Sequence, residues 1–232
     1  MPLPRIDVAP TGTLNCASFP SKVWVHRVNT LERAEIVLQR FNGIEIDVVY
    51  ESARNVFDVR HRDIPSIGLG LVSYFERLDK RFKPLYWVDI KNLGPDNAPR
   101  QLKRLLDLEE QFSLHGRMVI ESPNVNLLSD FTDAGLITSY YLPSIDGNSA
   151  SGEEIASWVH EVKAGISNSR VCAISADFAL YPLITRYFGD ADVLFWANLV
   201  YDRRRDRREI ENIIASKRVK VLLVRQRSEH YR

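Results

Sequence analysis

The chain has 232 residues, 45% of them hydrophobic and 26% charged, which fits one globular domain with a sizeable core rather than two ordinary domains. A net charge of +1 gives no global pull toward nucleic acid or an anionic membrane, and two cysteines, Cys16 and Cys172, without CxxC spacing exclude a disulfide framework. No basic stretch followed by an apolar run opens the chain and no apolar run reaches membrane-spanning length, so a soluble cytoplasmic protein is expected.

Short apolar, β-rich runs then alternate with longer stretches of helical spacing. Strands are predicted over 22–26 (KVWVH), 43–49 (GIEIDVV), 85–90 (LYWVDI), 117–120 (RMVI), 136–142 (LITSYYL), 171–176 (VCAISA), 192–197 (DVLFWA) and 219–224 (VKVLLV). A further extended piece, 55–60 (NVFDVR), reads as an extension of the second strand or a hairpin with it. Helices are predicted over 30–41, 98–112, 152–163 and 204–216, with Asn29 and Ser151 as starting residues. Eight strands alternating with helices predict a (β/α)8 TIM barrel spanning 1–232 as a single domain. The alternative is an open doubly wound sheet. Its nucleotide-binding form wants a glycine-rich turn after the first strand, where this chain has His26-Arg27-Val28-Asn29. After the last strand only residues 225–232 remain, so the barrel is expected to lack a full last helix. The leader 1–21, with Leu3, Ile6, Val8, Leu14 and Phe19, is expected to cover the outer faces of the first and last strands.

In a parallel barrel the active site lies at the carboxyl ends of the strands. His26 ends the first strand, Glu45 and Asp47 lie in the second, and Asp89 and Lys91 close the third. Glu121 and Ser122 follow the fourth, Asp177 the sixth, and Trp196 and Asn198 close the seventh. Residues two apart in a strand share a face, so Glu45 pairs with Asp47 and Asp89 with Lys91. If those faces line the barrel mouth, three carboxylates converge, and a divalent cation relieves their repulsion. An all-oxygen set suits Mg²⁺ or Ca²⁺. A strand carboxylate is ordinarily a solvated one, but the runs IEIDVV and WVDI are apolar on both sides of their acids, and outward faces in such a barrel are covered by helices. For Asp177 and Glu121 a helix cap or a surface loop serves as well. His26 and His61 flank the acids, whereas His115, His160 and His230 have no such company. The charged run at 202–209 has mixed signs at helical spacing and reads as a solvated helix face, not a nucleic-acid site.

At these residues the chain resembles the phospholipase C-like phosphodiesterases, in the metal-dependent branch that includes the glycerophosphodiester phosphodiesterases and the spider-venom sphingomyelinase D (phospholipase D) toxins. The matching pieces are VHRVN at 25–29, GIEIDV at 43–48, VRHRD at 59–63 and VDIK at 88–91. The resemblance implies Glu45, Asp47 and Asp89 as metal ligands, His26 as general base or nucleophile, and His61 as general acid. It implies Arg27 and Lys91 as phosphate contacts or as holders of the carboxylates. Trp196 is similar to an aromatic wall of the toxins, and a core aromatic explains it equally well. The implied activity is hydrolysis of a small or lipid phosphodiester. The alternative is a non-catalytic barrel that binds a phosphorylated ligand or a protein partner; the histidine pair argues against it, because binding alone needs neither acid nor base.

Overall fold

The computed structural model describes residues 3, 4, 6 and 18–226. Its strands are β1 (Val23–Val25), β2 (Gly43–Glu51), β3 (Val56–Val59), β4 (Leu85–Ile90), β5 (Met118–Ser122), β6 (Ile137–Tyr141), β7 (Ala173–Asp177), β8 (Val193–Val200) and β9 (Val219–Arg225). The helices are α1 (Leu31–Val37), α2 (Leu71–Asp79), α3 (Ala98–Phe112), α4 (Val125–Asp133), α5 (Gly152–Asn168), α6 (Tyr181–Tyr187) and α7 (Arg204–Ile214). Eight strands pair in parallel in the order β1-β9-β8-β7-β6-β5-β4-β2, and β1 pairs with β2 to close the ring. This is the TIM barrel expected from the strand–helix rhythm. No helix among the described residues is long and apolar enough to cross a membrane.

Two apolar clusters follow from the strand period of two. Outward residues such as Ile44, Ile46, Val88, Ile120 and Val224 pack under the helices. Inward residues fill the barrel: Trp24, Leu85, Trp87, Val119, Leu194 and Leu223 among them. Trp24 lies against β2 at Gly43, where a Cβ would come within 2.3 Å of the indole. Only glycine leaves room for that ring there.

Of the two readings of the extended piece 55–60, an extension of the second strand or a hairpin with it, the hairpin is the one formed. β2 overshoots β4, turns, and returns as antiparallel β3, with Val48 opposite Val59. The Arg60 N–H donates to the Asp47 carbonyl at 2.9 Å, so the hairpin brings the chain back to the barrel mouth just before His61.

Helix boundaries moved where tertiary packing intervened. α1 is shorter than expected because the Arg40 and Phe41 N–H groups both bond to the Val37 carbonyl, turning the chain toward β2. Its cap is Thr30, which accepts from the Arg33 N–H, and not Asn29. α5 begins at the expected Ser151, with a reciprocal Ser151–Glu154 box, and runs five residues further because Val162 and Ile166 continue its buried stripe. The charged run behaves as a solvated face of α7 except at Asp206, which is buried and accepts the Val200 N–H at 2.8 Å.

The outer seam between β9 and β1 is bridged from both sides. Phe41 packs edge-on against Tyr201 at 4.9 Å, Arg40 pairs with Asp202, and Lys22 Nζ donates to the carbonyls of Ile214 and Ser216 at the end of α7. Of the leader residues, Leu3 and Ile6 pack against the outer core, and the Pro4 carbonyl accepts from the Tyr187 hydroxyl that ends α6. Phe19 goes inside, edge-on to Trp24 at 5.0 Å, in the inner cluster. An aromatic ring fills the narrow barrel interior better than it shields a flat strand face. Val8 and Leu14 lie outside the described residues.

Candidate active site

Register builds the site. Asp47 stands opposite Asp89, Asp89 opposite Glu121, and Glu121 opposite Ser139, so β2, β4, β5 and β6 project one polar layer inward. Glu45 lies one inward step deeper, opposite Trp87. One oxygen each from Glu45, Asp47 and Asp89 lie within 4.8 Å of one another, and all three residues are buried. Oxygens around one cation at about 2.0–2.6 Å fit within such a span. Three buried carboxylates face one ammonium, so the donor set fits a metal ion.

Lys91 reaches between the acids. Its Nζ contacts Asp47 Oδ1 at 2.6 Å and bonds to Asp89. Burial opposes its charge, but Asp89 and Asp47 outweigh that and hold the ammonium above its ordinary pKa. Burial also acts on Asp47, yet Lys91 and Asn29 keep its carboxyl below the usual range. Asn29 clamps Asp47 twice: its Nδ2 donates to Oδ2 at 2.7 Å, and its Oδ1 accepts the Asp47 N–H at 2.9 Å. Burial pushes Asp89 upward against the pull of Lys91. Glu45 is pushed well above the ordinary carboxylate range by burial and then by Asp47 and Asp89. Its Oε2 accepts the Arg27 N–H at 2.6 Å, and Arg27 has a left-handed φ of 55° that aims this amide inward.

The two histidines line one cavity of about 110 Å³ together with Glu45, Asp89 and Lys91. His26 Nε2 lies 3.7 Å from Glu45 Oε2. Burial, then Arg27, lowers the His26 pKa to about 4. His61 Nδ1 lies 3.3 Å from Asp63 Oδ2. A wider cavity of about 270 Å³ continues from His61, Asp89 and Lys91 past Arg62, Pro123 and Tyr141. Trp196 stacks on Tyr141 at 4.9 Å with an interplanar angle of 7°, and both face the smaller cavity. Arg27 also borders that cavity.

The eight residues named through the resemblance therefore border this mouth or belong to its acid cluster. Three others join them. Asn29, read as a helix starter, holds Asp47 instead. Tyr141 stands beside Tyr140 in an apolar run, where nothing local distinguishes it from a core aromatic. Glu121 is neither cap nor loop residue: it lies within β5, is 2% exposed, and is pushed well above the usual carboxylate range by burial and by Asp89. An acid at the end of an apolar run, MVIE, is its signal in the sequence. Asp177 does cap, accepting the Ala179 N–H at 2.8 Å.

Fold and site together define a parallel barrel with a carboxylate–lysine cluster and two histidines at its mouth. No protein-family model and no curated protein matches this sequence. Among solved structures, a glycerophosphodiester phosphodiesterase from Parabacteroides distasonis shares the fold at a TM-score of 0.59 and 15% identity, covering 90% of this chain and 94% of that one. A phosphodiesterase from Oleispira antarctica, solved with its product sn-glycerol 3-phosphate, matches at 0.59 and 11% identity over 89% and 92% of the two chains. What this chain shares with these glycerophosphodiester phosphodiesterases is the TIM-barrel fold. The barrel is also shared, at 0.51 and 12% identity over 88% and 87%, by phosphoribosyl anthranilate isomerase from Thermococcus kodakaraensis. The fold alone thus leaves the chemistry to the site.

Proposed function

We propose that this protein is a divalent-cation-dependent phosphodiesterase acting on a small or lipid phosphodiester of the glycerophosphodiester kind. The observation that carries this reading is the gathering of Glu45, Asp47 and Asp89 within 4.8 Å beside a cavity that both His26 and His61 line. The product-bound Oleispira neighbour supports a small phosphorylated ligand. Glu45, Asp47 and Asp89 would hold the ion, Mg²⁺ or Ca²⁺ by their all-oxygen chemistry. Once bound, the ion supplies positive charge to a non-bridging phosphate oxygen.

The protein's own groups do the rest. His26, with its pKa near 4, is neutral at physiological pH and takes the proton of the attacking hydroxyl, from water or from the substrate itself. His61 returns a proton to the departing oxygen. Lys91 holds the Asp47 carboxyl below its usual range, ion-pairs with Asp89 and, with Arg27, meets phosphate charge. The Tyr141–Trp196 stack walls the cavity against water. The test is turnover of bis(p-nitrophenyl) phosphate with added Mg²⁺ or Ca²⁺ and an EDTA control. Cation-dependent release of nitrophenol is expected. Phosphate binding without turnover under any cation would replace the enzyme by a ligand-binding barrel.

A further inference from the structure

His61 stands at the head of a segment that apolar packing does not hold, since residues 62–68 are all exposed. The Val59 N–H donates to the Leu69 carbonyl at 2.8 Å and ties the two ends of that segment together, but this bond fixes neither its shape nor the imidazole. Segments with few buried apolar contacts open locally at low cost, whereas a proton donor must be held within a fraction of an ångström of its target. What holds this one is polar. Asp58, in β3, is buried, and its Oδ2 accepts from Arg60 Nε at 2.7 Å. That bond sets the plane of the guanidinium, whose Nη1 donates to the carbonyls of Arg62 and Ile64 at 3.1 Å each. Those two carbonyls lie on either side of Asp63, whose carboxylate faces His61 Nδ1. The Ile64 N–H donates to the His61 carbonyl at 3.0 Å and closes the turn. From the other side the Arg62 guanidinium donates to the Lys91 carbonyl, which ties the turn to the end of β4. Burying a carboxylate in a strand is costly, and an apolar side chain would fill the place of Asp58 without that cost; what the carboxylate adds is a fixed direction for Arg60.

We propose that Arg60, aimed by the buried Asp58, is a positioning residue for His61: it clamps the 61–64 turn and so sets the imidazole at the cavity. The proposal rests on the phosphodiesterase reading only for what His61 then does, which is to protonate the departing oxygen.

Two measurements test it, one of them without turnover. Hydrogen exchange at the Ile64 amide reads the turn, with the amides of β4 as the control. Arg60→Met should speed exchange at Ile64 about tenfold or more and leave β4 unchanged. Arg60→Lys, which pairs with Asp58 but lacks the planar fork, should fall between the two. In the nitrophenyl assay Arg60→Met should lower kcat about 10- to 100-fold, with KM and Mg²⁺ affinity within about twofold of the wild type. In a His61→Ala background the same change should cost less than about twofold, because a residue that acts through His61 then has nothing to position. Wild-type exchange at Ile64, wild-type kcat in Arg60→Met, or the full loss repeated in the His61→Ala background overturns the proposal. Arg60→Met leaves Asp58 buried without its partner; should that protein fail to fold, Asp58→Asn, which keeps the shape and releases Arg60, goes through the same cycle with the same expectations. An inactive wild type, or His61→Ala with an undiminished rate, sinks the phosphodiesterase reading and the role of Arg60 with it. Failure of the proposal alone leaves the wild type active and His61→Ala impaired.

Discussion

Glu45→Gln tests the acid cluster without relying on catalysis. A Glu45 oxygen lies within 4.8 Å of one from Asp47 and one from Asp89. At that distance a pair of like charges repels by about 3.5 kcal/mol at an effective dielectric of about 20. Lys91, bonded to both aspartates, offsets part of this, which leaves roughly 2 kcal/mol to be relieved when Glu45 is ionised without a cation. The sign with pH follows from the raised Glu45 pKa. Its ordinary value is 4.5 and its folded-state value lies well above that. No destabilisation exists below the ordinary value; it grows as pH rises toward the folded-state value, because the unfolded chain ionises first. In EDTA, Glu45→Gln should therefore melt with the wild type near pH 4 and about 4 to 8 °C above it at pH 8, on the scale usual for a chain of this length. Mg²⁺ or Ca²⁺ at a hundred times its Kd should raise the wild type by about 2.7 kcal/mol and the variant by much less, reversing the order. Scanning calorimetry at both pH values, with EDTA and with the cation, reads all four cases. A variant that melts below the wild type in EDTA at pH 8, with the same cation increment as the wild type, would refute the reasoning.

His26→Ala and His61→Ala should each lower kcat/KM by about two to four orders of magnitude in the nitrophenyl assay. With the cation saturating, so that Glu45 stays ionised, the wild-type rate should hold down to about pH 5, since His26 gains its proton only near 4; an acid limb centred near 6.5 under that condition would exclude His26 as the base. Lys91→Met leaves Asp47 and Asp89 without their buried ammonium and should cost about 3 kcal/mol in urea unfolding, with much of the loss restored by the cation. Gly43→Ala sets a Cβ against the Trp24 indole and should cost about 3 kcal/mol, visible as a lower melting temperature; a neutral result would mean that Trp24 does not fill the barrel at that level.

The sequence by itself determined that eight apolar β-rich runs alternate with helical stretches, which calls for parallel βα units, while the β1–β2 pairing that closes them into a barrel instead of an open doubly wound sheet is a fact of the tertiary structure. It also determined that Glu45 and Asp47 share an inward face, since strand side chains alternate whatever the strand pairs with. Tertiary structure decided what alternation within one strand cannot. Inter-strand register set Asp47, Asp89, Glu121 and Ser139 side by side and made Glu121 a cavity residue instead of the cap or loop residue its position allowed. Return of the β2–β3 hairpin to Asp47 placed His61 at the mouth, a contact that depends on how far β2 outruns β4. Asn29 shows the limit most clearly. Locally it is as good a helix starter as Thr30, and only the approach of β2 brings Asp47 to both ends of its amide. Local chemistry specifies which atoms can bond, and the closed barrel specifies which ones meet.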